Sequence, residues 1–234
     1  MNNEEIGQVT LQNLEKATAF NTWMVEQIES DLSDPILEVG SGIGNITKVI
    51  LEKNYQVTAT DIESEYLKRL EDLYKKKQNL ISVERLDLEG DEILSHSKYN
   101  TILLMNVLEH INNPSNAIIR VLDKLNKGGR IIVLVPAIPW LYCRLDSSLG
   151  HKKRYDKDLL TNELTSTGLE IESIKYFNFM GIFGWLIWGK IFNGKHLELP
   201  LIKTYEKMMP INRFFDKLTR NQIGLSLIAV ATKK

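Results

Sequence analysis

Residues 36–45 read "ILEVGSGIGN", an apolar run that ends in glycines at 40, 42 and 44. A strand that breaks into glycines before a helix holds a ligand: glycine admits positive φ and close backbone approach, and the helix start directs free N–H groups outward. The spacing decides which ligand. A dinucleotide loop runs G-x-G-x-x-G/A, and its third small residue would fall at 45, where the chain has Asn45. Glu38, two residues before Gly40, would repel a pyrophosphate and attract a cation. Asp61 closes "QVTATD", in the position from which a carboxylate accepts the two hydroxyls of a ribose. Asp87, in "VERLDLEG", can accept an amino group of an adenine ring. The combination fits a positively charged nucleoside better than a pyrophosphate.

Two further stretches offer proton chemistry. "NVLEHI" at 106–111 contains His110 beside Glu109, and "GHKKRY" at 150–155 groups His151, three cations and Tyr155. A histidine can take a proton from an acceptor hydroxyl, so His151 and His110 are the candidate bases. The Arg154 fork suits a carboxylate or phosphate on the acceptor. Each has a plainer reading beside it: His110 fixing its loop by a hydrogen bond, and 150–155 as a solvated basic turn with Tyr155 packed beneath. His96 and His196 stand alone and read as surface residues. The single cysteine, Cys143, excludes an internal disulfide and a cysteine-rich zinc centre, and no metal site is expected.

These residues need a frame that brings them to one edge. Residues 4–30 carry apolar positions at helical spacing and predict a leading helix or helix pair. Short apolar runs then alternate with amphipathic segments: "PILEVG", 44–53, "QVTATD", 64–77, "LISVERLD", "YNTILLM", 114–126 and "GRIIVLVP". That alternation predicts an α/β, Rossmann-like doubly wound sheet with crossover helices. A long loop follows Pro136; a helix near 156–167 opens on Asp156 as N-cap and stops at Gly168; a strand runs over 169–177. Residues 179–222 read as an apolar, helix-like insertion, a cap or association surface, before a final strand "IGLSLIAVAT". The whole chain, 1–234, reads as one domain: a helical lid at 1–33, the core sheet at 34–178, the cap and the last strand at 223–234.

Taken in order, "EVGSGIG", the terminal Asp61, "LDLEG" and "NVLEHI" resemble the class I S-adenosylmethionine-dependent methyltransferases, particularly the branch acting on small molecules. The resemblance implies about seven strands with the last reversed. It implies that Gly40, Ser41 and Gly42 pass under the methionine part of the cofactor, with Glu38 close behind. Asp61 and the adjoining Ile62 would border the ribose, Asp87 and Leu88 the adenine, and Asn106 and Val107 the methionine end. The expected function is methyl transfer by in-line displacement to an oxygen or nitrogen of a small molecule or lipid- or sugar-linked metabolite. Arg154, Tyr155, Trp140 and Phe20 are the expected acceptor contacts, and Phe20, Asn21 and Trp23 a possible lid. Two other readings remain open at this point: a nicotinamide-dependent oxidoreductase, and an inactive cofactor-binding protein working through 179–222.

Bulk composition narrows the partners. A formal net charge of −1 with 25% charged residues gives no basic surface for nucleic acid. The amphipathic, acidic N-terminus has no secretory pattern, and the reading is a cytoplasmic protein. The longest uncharged stretch, Tyr176–Gly189, is too short for the roughly 20 residues of a membrane span. Its aromatics, Phe177, Phe179, Phe183, Trp185 and Trp188, are expected in core or pocket first. A homodimer face or an interfacial membrane contact is the lesser alternative.

Overall fold

A computed structural model describes residues 3–90 and 98–234. His96 lies outside the described residues. Helices α1 (Asn3–Glu15) and α2 (Thr18–Glu26) lead into β1 (Ile36–Val39) and α3 (Asn45–Glu52). The alternation continues with β2 (Val57–Asp61), α4 (Ser64–Tyr74), β3 (Leu80–Arg85), β4 (Tyr99–Met105), α5 (Pro114–Leu122) and β5 (Leu125–Pro136). The strands lie in the order β3-β2-β1-β4-β5, all parallel. The order reverses at β1 and β4, and ligands of such sheets sit at that switch point, beyond the carboxyl ends of the strands.

After β5 the chain forms a short helix α6 (Arg144–Ser148), then α7 (Lys157–Thr165) and β6 (Leu169–Phe177). Asp156 caps α7 as expected, its Oδ1 accepting the Leu159 N–H at 2.8 Å. The insertion comprises α8 (Gly181–Gly184) running into a π-helix (Trp185–Ile191), then α9 (Leu199–Lys207) and α10 (Met209–Leu218). The last strand, β7 (Ser226–Lys233), enters between β5 and β6 and is antiparallel to both. The seven-stranded sheet with one reversed strand is the architecture that the sequence resemblance implies.

Strand alternation sends side chains to both faces, and each face has its own core. Leu37, Ile102, Leu104, Ile131 and Val133 pack under α5 and α7. Ile36, Leu103, Ile132, Leu134 and Val230 pack against Trp23 and Ile28 and against Ile50 of α3. Burying each such side chain contributes about 1.5–3 kcal/mol. This is why the central strands read as unbroken apolar runs.

The insertion is tied to the domain by two carboxylates. Glu206 of α9 accepts the N–H groups of Ala19 and Phe20 at 3.0 and 2.8 Å, supplying the start of α2 with acceptors that Ala17 cannot offer. Asp216 of α10 accepts those of Asn178 and Phe179, both at 2.7 Å. The aromatic run divides between inside and outside. Phe177 is buried in the core, while Phe183, Ile187, Ile191 and Phe192 are exposed, against the expectation of core or pocket for Phe183. His196 is half-buried, and its carbonyl accepts the Trp188 indole N–H at 2.9 Å.

Candidate functional site

The glycine loop is built by backbone geometry. Gly40, Gly42 and Gly44 have φ of +70°, +54° and +91°, which side chains with a Cβ rarely adopt. A Cβ on Gly40 would stand 2.7 Å from Val107 Cγ2, so the β1 and β4 loops meet there. Ser41 donates its N–H to the Thr60 carbonyl at 2.8 Å, pinning the loop to β2. The Asp61 carboxylate accepts the Gly42 N–H at 2.7 Å through Oδ2 and the Glu63 N–H at 3.0 Å through Oδ1. Burial pushes its carboxyl above the ordinary carboxylate range, against the pull of those N–H groups.

Glu38 turns beneath the loop. It is fully buried and accepts the Thr47 hydroxyl of α3 at 2.6 Å, and burial raises its carboxyl to about 7. Leu88 is buried; Asp87 accepts the Glu89 N–H at 2.8 Å; Ile62 and Asn106 are exposed. Asn106 holds a φ of +58° directly after β4. Gly42 and Asn106 thus lie on loops leaving one edge of the sheet, with Asp61 closing β2 and Asp87 two residues past β3 at that same edge.

This geometry fits S-adenosylmethionine. Each Asp61 oxygen keeps a lone pair beyond its N–H bond, enough for two ribose hydroxyls. The glycine cradle has no room for a side chain at 40. The cover over the loop is α1. Leu11 Cδ1 lies 3.6 Å from where a Cβ of Gly42 would be, and the Leu11 carbonyl accepts the Asn45 amide at 3.3 Å. Of the residues expected as a lid, Phe20 and Trp23 instead pack with Phe177 and Tyr205, and Asn21 is buried with its amide on the Leu14 carbonyl. Phe20 therefore belongs to an aromatic cluster of α2, β6 and α9.

The loops after β4 and β5 bring the second group together. His151 Nδ1 lies 3.0 Å from Asp146 Oδ1, and Nε2 lies 4.0 Å from Glu109 Oε1. Asp146 also accepts Arg154 Nε at 2.8 Å, the Cys143 N–H at 3.0 Å and the Trp185 indole N–H at 3.1 Å. The hydrogen bond from His151 and the Arg154 charge hold the Asp146 carboxyl below its ordinary range in spite of its burial. Burial raises Glu109 to about 7 and lowers His110 to about 4. The His110 and His151 rings meet edge to face, 5.0 Å between centroids.

Besides Phe20, two expected acceptor contacts are corrected. Arg154 is 3% exposed, its guanidinium committed to Asp146 and the Ala137 carbonyl and stacked over Trp185. Tyr155 is 0% exposed and donates its hydroxyl to the Leu108 carbonyl at 3.2 Å. Neither side chain is open to an acceptor; Arg154 supports His151 through Asp146, and Tyr155 packs in the core beneath the loop. Trp140 is exposed, its carbonyl accepting the Lys190 ammonium, which also lies over its ring. Asp146 was missed from sequence. The one available signal is its place five residues before His151, on a segment read only as loop.

Known proteins agree with the geometry. A family model described as a methyltransferase domain matches residues 13–174. A ubiquinone biosynthesis O-methyltransferase from Rickettsia canadensis is 25% identical over 170 residues, 65% of this chain and 71% of the relative. Among solved structures, an S-adenosylmethionine-dependent methyltransferase from Mesorhizobium loti superposes with a TM-score of 0.62 at 13% identity, covering 89% of this chain and 96% of its own. One from Archaeoglobus fulgidus gives 0.59 at 15%, covering 92% and 94%. At such identities the structures speak for the fold alone, and the family match speaks for the activity. Among the described residues no helix is long and apolar enough to cross a membrane. With more than half of its length matched and the cofactor cradle in place, the chain belongs to the methyltransferase-domain family and is an S-adenosylmethionine-dependent methyltransferase of class I fold.

Proposed function

We propose that the acceptor is a hydroxyl of a small molecule, free or linked to a lipid or sugar. The observation that carries this reading is the Asp146, His151 and Glu109 group at the edge where the cofactor loop opens. An oxygen acceptor must lose a proton, whereas an amine needs only alignment. With its Nδ1 hydrogen held by Asp146, His151 presents Nε2 as a proton acceptor. The O-methyltransferase activity in the name of the Rickettsia relative supports an oxygen acceptor.

S-adenosylmethionine, when bound, supplies a methyl group made electrophilic by its sulfonium. The chain's own share is alignment and proton handling. We assign Asp61 to the ribose, Gly40 to Gly42 to the methionine part, Asp87 and Leu88 to the adenine, and Asn106 and Val107 to the methionine end, as the family resemblance implies. Holding both reactants in line can supply about 7–11 kcal/mol in favourable cases. Trp140 is the remaining acceptor contact at the rim. The cytoplasm is the matching compartment, since a lone half-buried thiol suits reducing conditions.

Purified protein incubated with a labelled methyl donor and hydroxylated metabolites should yield labelled methyl ethers. His151→Ala should lower turnover by roughly 10²–10⁴ while donor affinity, read by calorimetry, is unchanged. Label found only on nitrogen would overturn the oxygen reading.

A further inference from the structure

Glu109 poses a problem that a proton acceptor alone does not solve. Its side chain is wholly inaccessible, and neither carboxylate oxygen has a hydrogen-bond partner. Such a group is costly unless it holds a proton or a cation meets it, and even a protonated carboxyl leaves its hydrogen-bonding capacity unused here. The nearest nitrogen, His151 Nε2, is 4.0 Å away, beyond hydrogen-bond range. Asp146, already paired with Arg154, takes the hydrogen on His151 Nδ1. Nε2 of the same ring is turned toward Glu109. His110 completes the group: one ligand atom from each of Glu109, His110 and His151 lies within 4.8 Å of the others.

We propose that Glu109, His110 and His151 bind a divalent cation of the zinc type, in a three-ligand site whose fourth position is open to the acceptor. Two imidazoles and one carboxylate are a recurrent catalytic zinc set. Tetrahedral ligands at about 2.0–2.1 Å from the metal stand about 3.3 Å apart, so the His151–Glu109 pair, now 4.0 Å apart, closes by about 0.7 Å on binding. Glu109 can make that move without giving up a hydrogen bond. The outer support is already present: Asp146 orients His151 and is itself held by Arg154, Trp185 and Cys143, the carboxylate–histidine arrangement that fixes a metal ligand's tautomer. This was not expected from sequence, where the histidines lie 41 residues apart with no ligand spacing.

Metal binding stands on these residues alone; its use in the reaction rests on the oxygen-acceptor reading. With the ion bound, Nε2 of His151 is a ligand, and coordination ionises the acceptor hydroxyl. The proton passes to water, the oxygen directs its electron pair to the methyl carbon, and the sulfonium leaves as a neutral sulfide.

Full-length protein stripped with chelator is titrated with Zn²⁺ by calorimetry and with Co²⁺ followed by visible absorption. One equivalent should bind, with a tetrahedral Co²⁺ spectrum. Glu109→Gln and His151→Asn should each weaken binding at least tenfold, and Asp146→Asn by roughly 10–100-fold through His151. S-adenosylmethionine affinity, unchanged in each variant, certifies the fold. Absence of saturable binding by the wild type, or equal binding by the Glu109→Gln/His151→Asn double variant, overturns the site. Undiminished O-methylation by stripped protein overturns the metal's part in the reaction and leaves the oxygen acceptor standing. Zinc binding with label only on nitrogen overturns the oxygen acceptor and the metal's part in its ionisation, and leaves the binding site standing.

Discussion

Glu38 and Asp61 stand on neighbouring strands, yet burial gives them different work. Asp61 keeps lone pairs for a ligand, whereas Glu38 is sealed under the loop with Thr47 and its carboxyl raised to about 7. A carboxyl raised by folding binds more protons in the native than in the unfolded state between about pH 4.5 and 7. Its contribution to stability is therefore full below that window and lost as pH rises through it. Glu38→Gln should gain on the wild type as pH climbs from 4.5 to 7, by up to about 3 kcal/mol, followed as melting temperature against pH. A constant difference across the window would mean Glu38 is ionised in the native protein. Residue identity and spacing marked this position; only burial and the Thr47 hydroxyl show that it faces inward.

At the scale of elements, the cofactor edge is a meeting of loops. Gly40 allows the β1 loop to touch Val107 after β4, and an added methyl group would stand 2.7 Å from Val107 Cγ2 at a φ of +70°. Gly40→Ala should weaken S-adenosylmethionine binding about tenfold or more in calorimetry, since backbone strain of about 1–3 kcal/mol joins the clash. Val107→Ala in the same chain should restore the part due to the clash and not the strain. Full affinity in Gly40→Ala would show that the loop accommodates the change freely. The strands and helices behind this edge were legible, because alternating apolar runs and 3.6-residue periodicity record which faces are buried. The His151 surroundings were not. Asp146 draws its partners from 5, 8 and 39 residues away, and no periodicity spans such a turn. Arg154 read as a free fork for an acceptor because sequence does not record that a guanidinium is already paired.

For the molecule as a whole, the 179–222 segment is a surface more than a core. Glu206 and Asp216 anchor it through backbone N–H groups, while Ile191 and Phe192 are 66% and 67% exposed. Serine at both positions should leave folding stability within about 0.5 kcal/mol in denaturant titration. A loss of several kcal/mol would place the pair in a packed environment. Apolar composition alone did not reveal this, since exposed and buried phenylalanines look alike in a sequence and the π-turn at Trp185–Ile191 shifts the face each presents.

The placement of β7 has a consequence for synthesis. The strand that fills the gap between β5 and β6 begins 90 residues after β5 ends, at Ser226 against Pro136. At ribosomal speeds of about 5–20 residues per second, the nascent chain carries an unpaired β5 edge for roughly 5–20 s. That edge displays Ile131, Ile132, Val133, Leu134 and Val135, all buried in the finished protein and all suited to pair with another chain. The sheet cannot close until β7 has emerged, so termination before Ser226 yields a sticky fragment rather than a shorter enzyme.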